Sequence, residues 1–116
     1  ILGLPGSTYI YQGEELGLHE VSELTPEDRQ DPTYFRTHGL EPCRDGCRIP
    51  LPWKASGTSL GFGADDEAQP HFPQPDWFAK FSVETEEGDL DSSLTMYRNA
   101  LHLRGRLETA EELECV

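Results

Sequence analysis

ILGLPGSTYIYQGEELG, residues 1–17, opens the chain with a short apolar and aromatic run held between two breakers. Thr8, Tyr9, Ile10 and Tyr11 are β-prone, Pro5-Gly6 precedes them and Gly13 follows. A continuous run of this kind suits a buried strand, and parallel sheets are its commonest setting. The spacing therefore predicts a strand over residues 7–11, with residues 1–4 closing an earlier helix or its connection.

Outward from that run, residues 18–75 offer no long element. Prolines at 32, 42, 50, 52, 70, 73 and 75 interrupt it, with glycines between. A weak helical turn is expected at Thr25-Pro26-Glu27-Asp28, where a cap, an N1 proline and early acids coincide. A connection of 58 residues far exceeds ordinary loop lengths and is expected to be functional. Trp53, Phe62 and Phe72 are its candidate apolar anchors. Residues 76–87 read as one short helix that Gly88 would stop, with Trp77, Phe81 and Glu84 on one face. Asp91-Ser92-Ser93 then caps a longer helix over about 93–107. Its apolar stripes are Leu94, Tyr97, Leu101 and Met96, Ala100, Leu103, Leu107, a broad face made to be covered.

Strand, very long loop and helix make one β/α unit of an α/β fold. One such unit cannot close a barrel or bury both faces of its strand. The expected fold is therefore a fragment of a (β/α)8 TIM barrel, whose functional loops follow the strands, with the other units upstream. Leu, Ile, Val and Phe number 25 of 116 residues and gather in the first 18 positions and after position 76, which leaves little for a self-sufficient core.

The charge of −13 disfavours nucleic acid, whose phosphates need clustered Lys and Arg. No apolar stretch approaches the ~20 residues of a membrane span, and no charged leader precedes Ile1. Three cysteines, Cys43, Cys47 and Cys115, are too few and odd in number for a disulfide framework. Free thiols in a cytoplasmic setting are the simpler expectation. Cys43 and Cys47 lack the second ligand pair of a zinc site, so no metal and no cofactor are expected. Ser7 and Ser56 lie in no nucleophile-elbow context, and Gly61-Phe62-Gly63 lacks the rest of a dinucleotide fingerprint.

Three segments carry a family resemblance. Tyr11, Gly13, Glu15 and Gly17 fill the pattern Tyr-x-Gly-x-Glu-x-Gly. Residues 44–53, RDGCRIPLPW, match Arg-Asp-(Gly/Asn)-x-Arg-x-Pro-x-x-Trp. Residues 72–104 contain FPQPDWF and SVETEEGDLDSSLTMYRNALHLR, the approach to the long helix and most of it. Together they resemble the end of the catalytic barrel in glycoside hydrolase family 13, of the α-glucosidase or oligo-1,6-glucosidase type. The resemblance implies the eighth strand, the loop after it and the eighth helix over residues 1–108, with residues 109–116 leading to a C-terminal β-domain. It implies an α-glucoside oligosaccharide as substrate, bound with the remainder of the barrel. It implies that Arg48, the second motif Arg, helps hold the terminal glucose; a guanidinium has five donors in a fixed fork. Arg44 is the second substrate-binding candidate. Arg44 and Asp45 are also expected to fold the loop, Asp45 by capping nearby backbone donors. Cys43 stands where close relatives usually carry Gly.

No catalytic residue is expected in this chain. A retaining glycosidase needs two carboxyl groups ~5 Å apart across the scissile bond. In this family the acids follow strands four, five and seven, before the matched region. Glu14 and Glu15 are adjacent, and neighbours on a strand face opposite ways, so they read as strand-end structure. A trehalose synthase, a sucrose-type isomerase or transglycosylase, and a non-catalytic amylase-like protein are the alternatives.

Overall fold

A computed structural model describes residues 1–4, 6–41, 43–65 and 67–107. The expected connection at 109–116 lies outside the described residues. Among them are three 3-10 turns, at Glu14–Leu16, Arg44–Cys47 and Asp76–Phe81, and three α-helices: α1 (Pro32–Arg36), α2 (Val83–Glu86) and α3 (Ser93–Leu107). No strand is formed among the described residues. The run at 7–11 forms no ladder here: a strand is defined by its pairing, and no neighbouring strand among the described residues pairs with it. Tyr9 stays 87% exposed.

The glycines after this run have a clear role. Gly13 (φ 98°) and Gly17 (φ 64°) flank the first 3-10 turn in left-handed conformations that other residues adopt at a cost. Glu14 accepts the N–H of Tyr11 at 2.7 Å and Glu15 that of Gly13 at 2.8 Å. The two acids thus close a turn, and they sit on that turn rather than on a strand. Leu16 is buried between them and the rest of the chain.

The long connection holds the core. Val21, Leu24, Ile49, Phe72 and Phe78 are buried together, with Leu18, Leu60 and Trp77 against them. Apolar residues are densest at the two ends of the sequence, yet four of these five come from the middle. Phe72 is the anchor foreseen; Trp53 and Phe62 are about half exposed. The Thr25 cap makes only a turn, closed by Asp28 N–H to Thr25 O at 3.1 Å. The helix begins later, at Asp31-Pro32, where Asp31 accepts the Thr33 N–H at 2.9 Å and proline takes the first helical position.

The helix expected over 76–87 is divided at Ser82, which is extended (φ −70°, ψ 150°) and caps α2 through the N–H of Thr85. The division is imposed from outside. The N–H groups of Val83 and Glu84, unpaired at a helix start, donate to the carbonyls of Pro52 (3.1 Å) and Trp53 (3.0 Å). This latches the 44–53 segment to the helical part of the chain.

Helix α3 forms as expected. Ser92 accepts the Thr95 N–H at 3.2 Å, and buried Glu86 accepts that of Leu94 at 2.9 Å. At its far end Arg104 donates to the carbonyls of Leu2 (2.9 Å) and Leu4 (2.6 Å), and also to that of Gly6. Met96, Leu101, Leu103 and Leu107 remain exposed on its broad apolar face. The radius of gyration, 17.8 Å, exceeds the ~13 Å of a compact domain this long, in keeping with a thin shape of 53 × 36 × 22 Å. No helix among the described residues is long and apolar enough to cross a membrane.

Candidate functional site

The RDGCR segment forms the 3-10 turn Arg44–Cys47 with Arg48 closing it. Cys43 leads in with φ −97° and ψ 173°, extended backbone that any residue adopts, so the missing glycine costs nothing. Asp45 is fully buried. Its Oδ2 accepts the N–H groups of Gln30 (3.0 Å) and Asp31 (3.1 Å) and the Cys43 thiol (3.2 Å). Its Oδ1 accepts from Arg48 Nη2 at 2.5 Å. The expected capping role of Asp45 is thus seen, with partners some 15 residues back in the chain.

Asp31 is the residue that sequence reading passed over. It is 4% exposed. Besides capping α1, its Oδ2 accepts the Arg44 N–H at 3.3 Å and lies 3.7 Å from Arg48 Nη2 and 3.8 Å from Arg44 Nε. The Asp-Pro pair at 31–32 was the available signal for the cap; nothing local signals the contact with Arg48.

Arg48 is held along one side. Nε donates to the Arg44 carbonyl at 3.3 Å, Nη2 meets both carboxylates, and the guanidinium lies 6.0 Å from the centroid of Phe72. Its third nitrogen, Nη1, makes no hydrogen bond among the described residues. With 42% of the side chain exposed, Arg48 offers donors to solvent from a fixed base. Arg44 shapes the loop through its backbone, while its side chain is 82% exposed. The site therefore brings Arg48, Arg44 and Asp45 together, as the motif spacing implied, and adds Asp31.

A shallow cleft of about 80 Å3 lies beside the turn, between Tyr11, Leu18, His19, Cys47, Ile49 and Phe78. Ligand pockets are usually of roughly 300–1,000 Å3, and neither Arg44 nor Arg48 lines this cleft. No group of three or more His, Cys, Asp or Glu is placed to hold a metal ion among the described residues.

The electrostatics favour ionised carboxylates. The Thr33 N–H holds the Asp31 carboxyl below the usual range, against the effect of burial and with further help from Arg44. Burial alone would raise Asp45, but the N–H groups of Asp31 and Gln30, the Cys43 thiol and Arg48 outweigh it and lower it. Desolvation pushes the Tyr11 phenol up, and Cys47 adds to this. Both aspartates are thus more acidic folded than unfolded. Their contribution to stability is complete above the unfolded value of ~3.9 and is lost as pH falls through the lowered folded values. Carbon-13 titration of the two carboxyls is expected to place both midpoints below ~3.9. A midpoint at or above it for either would remove the ionised network.

Comparisons with known proteins give this chain a family. The model of the α-amylase catalytic domain matches residues 1–112. A probable α-glucosidase of Rhizobium meliloti is 39% identical over 90% of this chain and 18% of its own length. A probable oligo-1,6-glucosidase 2 of Bacillus subtilis is 30% identical over 87% of this chain and 20% of its own. Among solved structures, the α-glucosyl transfer enzyme XgtA superposes with a TM-score of 0.76 and 36% identity, over 91% of this chain and 19% of that one. The chain thus spans about a fifth of the length of these relatives. On the match to nearly its whole length, this chain belongs to the α-amylase catalytic-domain family, glycoside hydrolase family 13.

Proposed function

We propose that this chain is the closing section of the catalytic barrel of a retaining α-glucosidase, and that Arg48 grips the terminal glucose of an α-glucoside oligosaccharide. Under this reading residues 1–108 are the eighth strand, its loop and the eighth helix. Residues 109–116 begin the passage to a following β-domain. The catalytic acids lie on other parts of the barrel, and a cytoplasmic setting goes with the unpaired thiols Cys43 and Cys47. Arg44 borders the outer side of the site. The observation that carries the proposal is the one-sided anchoring of Arg48: two nitrogens are committed to the chain and the third is presented. A pre-set donor of this kind binds a hydroxyl or braces a carboxylate with little ordering cost. The relatives named α-glucosidase and oligo-1,6-glucosidase support the substrate class.

The likeness to a glucosyl transfer enzyme favours one second reading, in which the covalent glucosyl intermediate passes to another sugar rather than to water. One experiment tests both. The complete enzyme is supplied with maltose and followed by proton NMR. The expected first product from the non-reducing unit is α-glucose. Accumulation of new glucosides with about one glucose freed per maltose cleaved, the reducing-end leaving group, against two under hydrolysis, favours transfer. Release of the non-reducing unit as β-glucose, or no turnover of any α-glucoside, sinks the proposal.

A further inference from the structure

The geometry points to Asp31 as the positioning residue that fixes the direction of Arg48, through a contact within the long connection. The inference rests on the proposed substrate role of Arg48.

Asp31 is nearly sealed from solvent, yet it is committed at every side. Its own N–H donates to Asp45 at 3.1 Å. Oδ1 accepts the Thr33 N–H at 2.9 Å. Oδ2 accepts the Arg44 N–H at 3.3 Å and faces Arg44 Nε at 3.8 Å and Arg48 Nη2 at 3.7 Å. A helix cap needs only the first of the side-chain contacts. The second oxygen is left for the site. Asp45 alone meets Arg48 at one nitrogen, so the guanidinium plane could still turn about that contact. A second negative charge on the same nitrogen, from a separate segment, together with the Arg44 carbonyl on Nε, leaves one orientation favoured and Nη1 outward. The fork geometry of a guanidinium makes it sensitive to such bracing, where a lysine ammonium would not be.

Capping and charge bracing make opposite demands at position 31, which allows a test in the complete enzyme. Asparagine caps a helix as well as aspartate does, but it carries no charge. Glutamate keeps the charge and caps poorly. If Asp31 positions Arg48, Asp31→Asn is expected to lower kcat/KM on maltose on the order of ten- to a hundred-fold. Asp31→Glu should recover part of that loss. If Asp31 serves only as a cap, the order reverses, with Asn near the parent and Glu worse, and the inference is overturned.

Both variants are repeated with Arg48→Ala. With Arg48 gone, Asp31→Asn should cost almost nothing more, because the two act as one unit. An equal loss in both backgrounds marks a general folding role and overturns the inference, whatever the stability of the variants. Near-normal kcat/KM for Arg48→Ala alone is a different failure. It removes the proposed role of Arg48 itself, and the positioning of Arg48 goes with it.

Discussion

In the complete enzyme, Arg48→Ala is expected to lower kcat/KM for small α-glucosides by about two to three orders of magnitude. The magnitude follows from the donors on offer. Nη1 makes no hydrogen bond within the described chain, and 42% of the side chain is exposed, so the outward donors are available to a sugar or to a carboxylate facing it. Hydrogen bonds to charged groups are worth ~1.5–3 kcal/mol each. Removing two such bonds from the transition state, each at the lower end of that range, amounts to about 3–4 kcal/mol, and each ~1.4 kcal/mol is tenfold in rate. Alanine also leaves Asp45 and Asp31 without the guanidinium between them, which adds to the effect. Arg48→Lys should fall between alanine and the parent. An ammonium keeps the charge but cannot meet Asp45 and the Arg44 carbonyl while still presenting a third donor. Initial rates over a range of maltose concentrations check this. Parent-like kcat/KM for alanine would take Arg48 out of the site.

The second large effect is expected at Gly46, inside the motif turn. A Cβ placed there would stand 2.2 Å from the Val21 carbonyl oxygen and 2.9 Å from Glu20 Cγ. The glutamate can swing away, but the carbonyl belongs to backbone. Gly46 also accepts the Val21 N–H at 3.1 Å, and Val21 is part of the buried cluster. Gly46→Ala therefore separates the motif turn from the core. Overpacking costs ~1–3 kcal/mol and the lost hydrogen bond about 1 more. Hydrogen exchange at the Val21 amide should speed up at least about thirty-fold, equivalent to ~2 kcal/mol. Unchanged exchange there would mean that the turn has room the structure does not contain. Where the family motif carries Asn at this position, the facing backbone has to stand further off.

How far these features were legible depends on the distance over which each is decided. Helix α3 could be read because its cap, Ser92, and its apolar spacing lie within or beside its own residues. Helix α1 was readable on the same grounds at Asp31-Pro32, but the similar Thr25-Pro26 drew the assignment to a mere turn. The break at Ser82 was not readable, since it answers to carbonyls of Pro52 and Trp53, far back in the long connection. The strand at 7–11 was assigned from residue type, whereas a ladder depends on a partner that no single run contains. The core was not readable because scattered apolar residues between prolines have no periodicity, yet they converge in space. The site shows the same division. The motif singled out Arg48 and Asp45 by spacing, while Asp31 enters only through contacts reaching 13 or more residues along the chain.

The grip of Arg104 on the opening carbonyls has a consequence for how such a chain can diversify. It staples residues about a hundred positions apart, so the intervening segment is a closed loop whose ends are already brought together. Lengthening a closed loop is inexpensive, roughly 0.6 kcal/mol for each doubling. Insertions between the anchored points can therefore accumulate and reshape what borders Arg48, while the frame that carries them keeps its geometry.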